Sequence, residues 1–173
     1  MQRIEKPAEG EYAPYTIIYI GLLPDDGLVL HHLKNNLEAT RDFVLSLPAE
    51  KLAHRYAEGK WTIKEILAHV VDDERIFAYR ALRFARNDKT ELPGFEQDEY
   101  ARYSGANERE VRDILNEFAT VREATISLFN SFDAAALARL GVASGNPMSV
   151  RAIAYHIAGH ELRHVNVIKE RYF

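Results

Sequence analysis

Residues 149–167 of the chain, Ser149-Val150-Arg151-Ala152-Ile153-Ala154-Tyr155-His156-Ile157-Ala158-Gly159-His160-Glu161-Leu162-Arg163-His164-Val165-Asn166-Val167, decide how the rest is read. Positions 150, 153, 157, 160, 164 and 167 recur at the alternating three- and four-residue spacing of a buried helix stripe. Valine or isoleucine fills four of them, and histidine fills the other two. His160 and His164 lie one turn apart on one face, so their imidazoles can converge on one point. Burying two neutral imidazoles with no partner costs a few kcal/mol. A bound divalent ion removes that cost.

Working outward, three further stripes of the same period precede this helix. Leu30, Leu33, Leu37, Val44 and Leu47 mark a first helix over about 25–47. It starts near Asp25 or Asp26, whose carboxylates suit a helix N-terminus, and stops before Pro48. Thr62-Ile63-Lys64-Glu65 has the form of a capping box, in which hydroxyl and carboxylate satisfy exposed backbone amides. A second helix starts there, with Ile63, Ile66, Val70, Phe77 and Phe84 inward, and fades at Asn87-Asp88. Asn107 to Glu110 repeats the box ahead of a third stripe through Val111, Ile114, Phe118, Val121, Thr125, Leu128 and Phe132. The fourth helix opens at Ser149, after Gly145-Asn146-Pro147. Period-two alternation is absent, so no strand is predicted.

Four helices of ~23 residues, each ~35 Å long, have the dimensions of an all-α four-helix bundle. The connections near 48–61, 87–106 and 133–148 are long enough to cross the bundle or run its length, which allows parallel neighbours. One domain over 1–173 is expected, with residues 1–24 as a leader packed on the bundle.

The composition excludes several functions. With no cysteine, disulfides, thiolate ligands and a cysteine nucleophile are ruled out, so any thiol chemistry uses a thiol from outside. The net charge is -4 and the basic residues are interspersed with acidic ones, so no nucleic-acid footprint is present. Residues 1–15 lack the apolar core of a secretory signal, and no stretch reaches the ~20 apolar residues of a membrane span. The expectation is a soluble cytoplasmic protein with a small-molecule substrate.

A catalytic zinc normally takes three protein ligands and leaves one position open. His69, on the second helix one turn from Ile66, is the best third ligand beside His160 and His164. Asp73, one turn further, is an orienting partner, a further ligand or a solvated edge residue. His156 is rotated ~40° from His160 and is read as structural or orienting. His31, His32 and His54 follow no such pattern. Ligation requires neutral imidazoles, so binding is expected to weaken as pH falls through about 6.5.

His160-Glu161-Leu162-Arg163-His164 also matches the His-Glu-x-x-His helix of zinc proteases. Those enzymes take a third ligand from downstream, and the nine residues after His164 contain no histidine. Glu161-x-x-His164 is half of a di-iron signature whose second half is missing.

Gly59-Lys60-Trp61-Thr62 through His69, together with Arg75-Ile76-Phe77-Ala78-Tyr79-Arg80, resembles the second helix of DinB/YfiT-like proteins, and Gly159 to His164 resembles their fourth. The leader Gly10 to Tyr15 and the loop Leu92-Pro93-Gly94-Phe95 resemble one branch of that family. The resemblance implies a bundle with a crossover connection, a His69/His160/His164 site for zinc or nickel, and frequent homodimers. It also implies chemistry of thiol transfer, isomerisation with a low-molecular-weight thiol cofactor, or hydrolysis. In this reading the open metal position binds water or a thiol, and Glu161 and Asp73 are candidate proton acceptors. The rival reading is a metal-stabilised binding or stress-response module without turnover. The zinc protease is a remote third.

Overall fold

The computed structural model describes residues Met1–Phe173. The four expected helices are α1 (Val29–Leu45), α2 (Ile63–Ala85), α3 (Val111–Asn130) and α4 (Val150–Arg171). The box at the start of α2 forms in full: the Glu65 amide donates to the Thr62 hydroxyl, and the Thr62 amide donates to the Glu65 carboxylate. Ser149 caps α4 by accepting from the Ala152 amide.

α1 begins four residues later than Asp25, because Asp26 turns its carboxylate onto the Leu28 amide and the His32 ring instead of a helical amide. The second predicted box does not form. Glu110 occupies the N-cap of α3 with no side-chain bond, while the Asn107 side chain pairs with Thr62 and Glu65 of α2. The prediction of no strands is also overturned. Leu140–Ala143 (β1) and Asn146–Ser149 (β2) form a two-stranded antiparallel hairpin. Its two-residue turn, Ser144-Gly145, has positive φ at both positions, the geometry that matches strand twist. Strands of four residues are too short to set up a recognisable alternation. Short helices at Gln97–Tyr103 and Ala134–Leu137 occupy the long connections.

The packing order is not that of a simple up-and-down bundle. α2 lies between α3 and α4, and α1 packs on α3 and α4, so α1 and α2 are diagonal to each other. Cross-helix bonds fix the directions. Asn107 meets Thr62 and Glu117 meets Arg75, both numbers rising together, so α2 and α3 run parallel. Asn36 meets Ala158 and Thr40 meets Glu161, so α1 and α4 are parallel as well. The 25-residue span from 86 to 110 therefore returns along the bundle before α3 starts.

Two apolar cores fill the bundle. One surrounds Phe84, Phe129 and Tyr155, and leader residues Ile4 and Ile20 belong to it. The other surrounds Ile63, Ile114, Phe118 and Ile168. Between them lies a buried polar layer, to which α1 gives Thr40, α2 gives His69, Asp73 and Glu74, α3 gives Arg122, and α4 gives His156, His160 and Glu161. No helix is long and apolar enough to cross a membrane.

The short helix Ile17–Ile20 presses directly on α4. At Gly159 an added Cβ would stand 2.2 Å from the Tyr19 carbonyl oxygen, so only glycine allows this approach. Gly159→Ala is expected to lower stability by about 1–3 kcal/mol despite the better helix propensity of alanine. Urea unfolding measures this, and a variant as stable as the parent would contradict the close packing.

Candidate metal centre

Of the polar layer's two halves, one consists of imidazoles. α2 carries His69 and α4 carries His160 and His164. Nε2 of His160 lies 3.1 Å from Nε2 of His69 and 3.1 Å from Nε2 of His164. Ligand atoms of all three residues lie within 4.8 Å of one another. Nitrogens bound at about 2.0–2.1 Å to a tetrahedral zinc stand about 3.3 Å apart, so the observed spacing suits a divalent ion. His69 and His160 are buried and His164 is partly exposed.

Burial pushes the imidazole pKa of His69 down and that of His160 well down, although Asp73 acts the other way on both. Burial and the neighbouring His69 bring His164 to about 3. All three rings are thus neutral at pH 7, the state a metal ligand needs.

Asp73 is buried, which removes the solvated-edge alternative. Its Oδ2 lies 3.4 Å from His160 Nδ1 and 3.2 Å from His156 Nε2. The carboxylate thus meets the ring nitrogen of His160 that faces away from the other histidines, the arrangement that fixes tautomer and orientation in metal-binding histidines. Burial raises the Asp73 pKa, but His160 and His156 outweigh it and hold the carboxyl below its usual range. His156 stays out of the convergent group. Besides meeting Asp73, its ring stacks on Phe77 at 3.8 Å.

Glu161, expected as a proton acceptor, is not brought to the histidines. One residue on from His160 turns the side chain by ~100° around the helix, toward α1 and α3. There Glu161 accepts from the Thr40 hydroxyl at 2.7 Å and lies 2.9 Å from Arg122 Nη1. Burial raises its pKa against the opposing pull of Arg122. Arg122 also pairs with Glu74 at 2.8 Å and donates to the Leu33 carbonyl, so Glu161 belongs to a structural ion cluster. Among the remaining histidines, His32 pairs with Asp26 at 2.8 Å and His54 meets the Tyr172 ring, both apart from the group.

A cleft of about 290 Å³ opens onto His164, with Tyr56, Trp61, Ile66, Asp98 and Tyr172 in its walls. Trp61 packs on His69 at 4.7 Å and lies nearly parallel to His164 at 6.3 Å. Trp61 and Ile66 occupy the positions before the N-cap and four residues after it, the pair that forms a hydrophobic staple. That signal was present in the sequence beside the capping box. Tyr19 was not legible there: its ring meets the edges of His156 at 5.0 Å and His160 at 5.3 Å only because the leader folds over Gly159.

Comparison with known proteins agrees with this architecture. The chain is 28% identical over 128 residues, 73% of each protein, to an Oceanobacillus iheyensis protein named "Putative metal-dependent hydrolase OB0413". Its fold is similar to that of YfiT from Bacillus subtilis, described as a probable metal-dependent hydrolase with an unusual four-helix bundle topology. The TM-score is 0.73 at 14% identity, over 96% of this chain and 91% of YfiT. The family profile of the DinB superfamily matches residues 32–168, which span all four long helices but for the first turn of α1 and the end of α4, and the three histidines with them, so the chain belongs to the DinB superfamily.

Proposed function

We propose that the protein is a metal-dependent enzyme acting on a small molecule, with one divalent ion, zinc or nickel, held by His69, His160 and His164. The observation that carries this reading is the convergence of three neutral Nε2 atoms beside a cleft with aromatic walls. When bound, such an ion supplies Lewis acidity that makes water or a thiol nucleophilic at neutral pH. His160 keeps its Nε2 lone pair toward the site because Nδ1 faces Asp73, and Trp61 shields His69 from water. The names of the relatives favour hydrolysis. Thiol-dependent S-transfer fits the same site and requires an exogenous low-molecular-weight thiol, since the chain has no cysteine.

An electrophile panel and an ester panel, each with and without small thiols, on metal-loaded and metal-free protein, test the proposal. Ester turnover without thiol identifies a hydrolase, and thiol-dependent consumption of electrophile identifies a transferase. Turnover that survives metal removal refutes both, and silence on both panels favours a non-catalytic metal-stabilised module.

Asp73→Asn is expected to weaken metal binding by about 10–100-fold, because the amide orients His160 poorly. Chelator competition reads the change, and unchanged affinity would show that Asp73 does not orient the ligand.

The depressed imidazole pKa values also revise the pH expectation. Burial lowers the pKa of all three rings in the folded protein, so metal affinity is expected to begin weakening at a lower pH than the roughly 6.5 of free imidazole. The unfolded chain does bind protons near 6.5. The contribution of His164 to the stability of the metal-free protein is therefore fully present above that pH and lost progressively toward about pH 3. A tenfold loss of affinity between pH 7 and 6 would show that the rings titrate as free imidazoles.

A further inference from the structure

Arg80 lies on α2 about two turns beyond Asp73 and is only 7% exposed, yet no carboxylate pairs with it. Its one hydrogen bond goes from Nη2 to the Pro93 carbonyl at 3.0 Å, and its guanidinium lies over the Phe77 ring at 4.7 Å. Arg122, the other buried arginine, has two glutamates. A desolvated cation with one neutral acceptor is costly unless a counter-charge joins it. Burial accordingly pushes the Arg80 pKa down, against the more distant charge of Asp73.

Arg80 lines a small cavity of about 30 Å³ between the leader, α2 and the β1–β2 hairpin. Tyr15, Thr16, Asn146 and Met148 are among its walls, and none of the lining residues is acidic. A second, independent observation concerns Thr16, a residue of the same cavity wall. Thr16 is 1% exposed and its hydroxyl has no hydrogen-bond partner. A buried hydroxyl without a partner is rare in folded proteins.

We infer that this cavity is a binding site for a compact monovalent anion, chloride or a carboxylate of formate size, held by the Arg80 guanidinium and the Thr16 hydroxyl. The cavity, about 30 Å³, exceeds the roughly 10–15 Å³ that one water needs, which suits chloride or formate better than the bulkier sulfate or phosphate. The site is distinct from the three histidines. It adjoins them through Phe77, which stacks on His156, the partner of Asp73.

The thermal midpoint of the full chain, in chloride, formate or sulfate against gluconate at constant ionic strength, tests the assignment. Chloride, formate or both are expected to raise the midpoint of the wild type by about 2–4 °C more than that of Arg80→Met, whereas the general stabilisation by sulfate is the same in both proteins. Which of the two acts identifies the ion. Arg80→Met is expected to abolish the rise, and Thr16→Val, which leaves the arginine in place, to reduce it. An anion bound at the histidines would be unaffected by either substitution, so the difference between proteins isolates this cavity. The inference is overturned if Thr16→Val and wild type respond equally to chloride and formate, or if the response to sulfate differs between the two proteins as much as the response to chloride does. Should Arg80→Met fail to fold, the Thr16→Val comparison decides alone.

Discussion

His160→Ala is expected to abolish binding of the divalent ion and, with it, any metal-dependent turnover. His160 is central to the group, its Nε2 standing 3.1 Å from each of the other two. Its removal leaves His69 on α2 and His164 at the cleft without the nitrogen that links them. The loss exceeds the roughly 10–100-fold that removing an orienting partner costs, because a ligand itself is gone. Metal content after dialysis and competition with a chelator measure it. Full occupancy in the His160→Ala protein would remove the site from consideration. His156→Ala provides the contrast. It takes away a neighbour of Asp73 but no convergent nitrogen, so binding should weaken and persist.

Arg122→Leu carries the largest expected effect on stability. Its guanidinium is fully buried between Glu74 and Glu161, which keep it charged in spite of burial. Removing it strands two carboxylates inside the bundle, at a cost of about 3–5 kcal/mol. For a chain of this size that lowers the thermal midpoint by roughly 10 °C. Replacing Glu74 and Glu161 as well, by leucine, should recover most of the loss, because no uncompensated charge then remains. A single variant within 1 °C of wild type would mean that water or rearrangement solvates the carboxylates.

These two residues mark where reading along one helix reaches its limit. Glu161 and Asp73 were equal candidates for a place beside the histidines, since each lies within one turn of one of them. The ~100° step from His160 turns Glu161 off the histidine face, and Arg122 of α3 supplies the partner that holds it there, whereas Asp73 meets the His160 ring across the bundle. Asn107 shows the same limit at smaller scale, as the residue pattern suits a cap but α2 offers its side chain better partners.

The four amphipathic stripes, the Thr62–Glu65 cap and the histidines at inward positions 69, 160 and 164 were determined by the sequence alone. Each depends on neighbours within a turn or two, where the helical period converts spacing into a shared face. The tertiary structure alone decided the parallel pairing of α2 with α3 and of α1 with α4. It also decided the hairpin at 140–149, the seating of Tyr19 over Gly159, and the division of the polar layer between an imidazole group and an arginine cluster. Those features rest on contacts between residues dozens of positions apart, and which distant partner meets a polar side chain is set by how the helices pack, a property that no local period encodes.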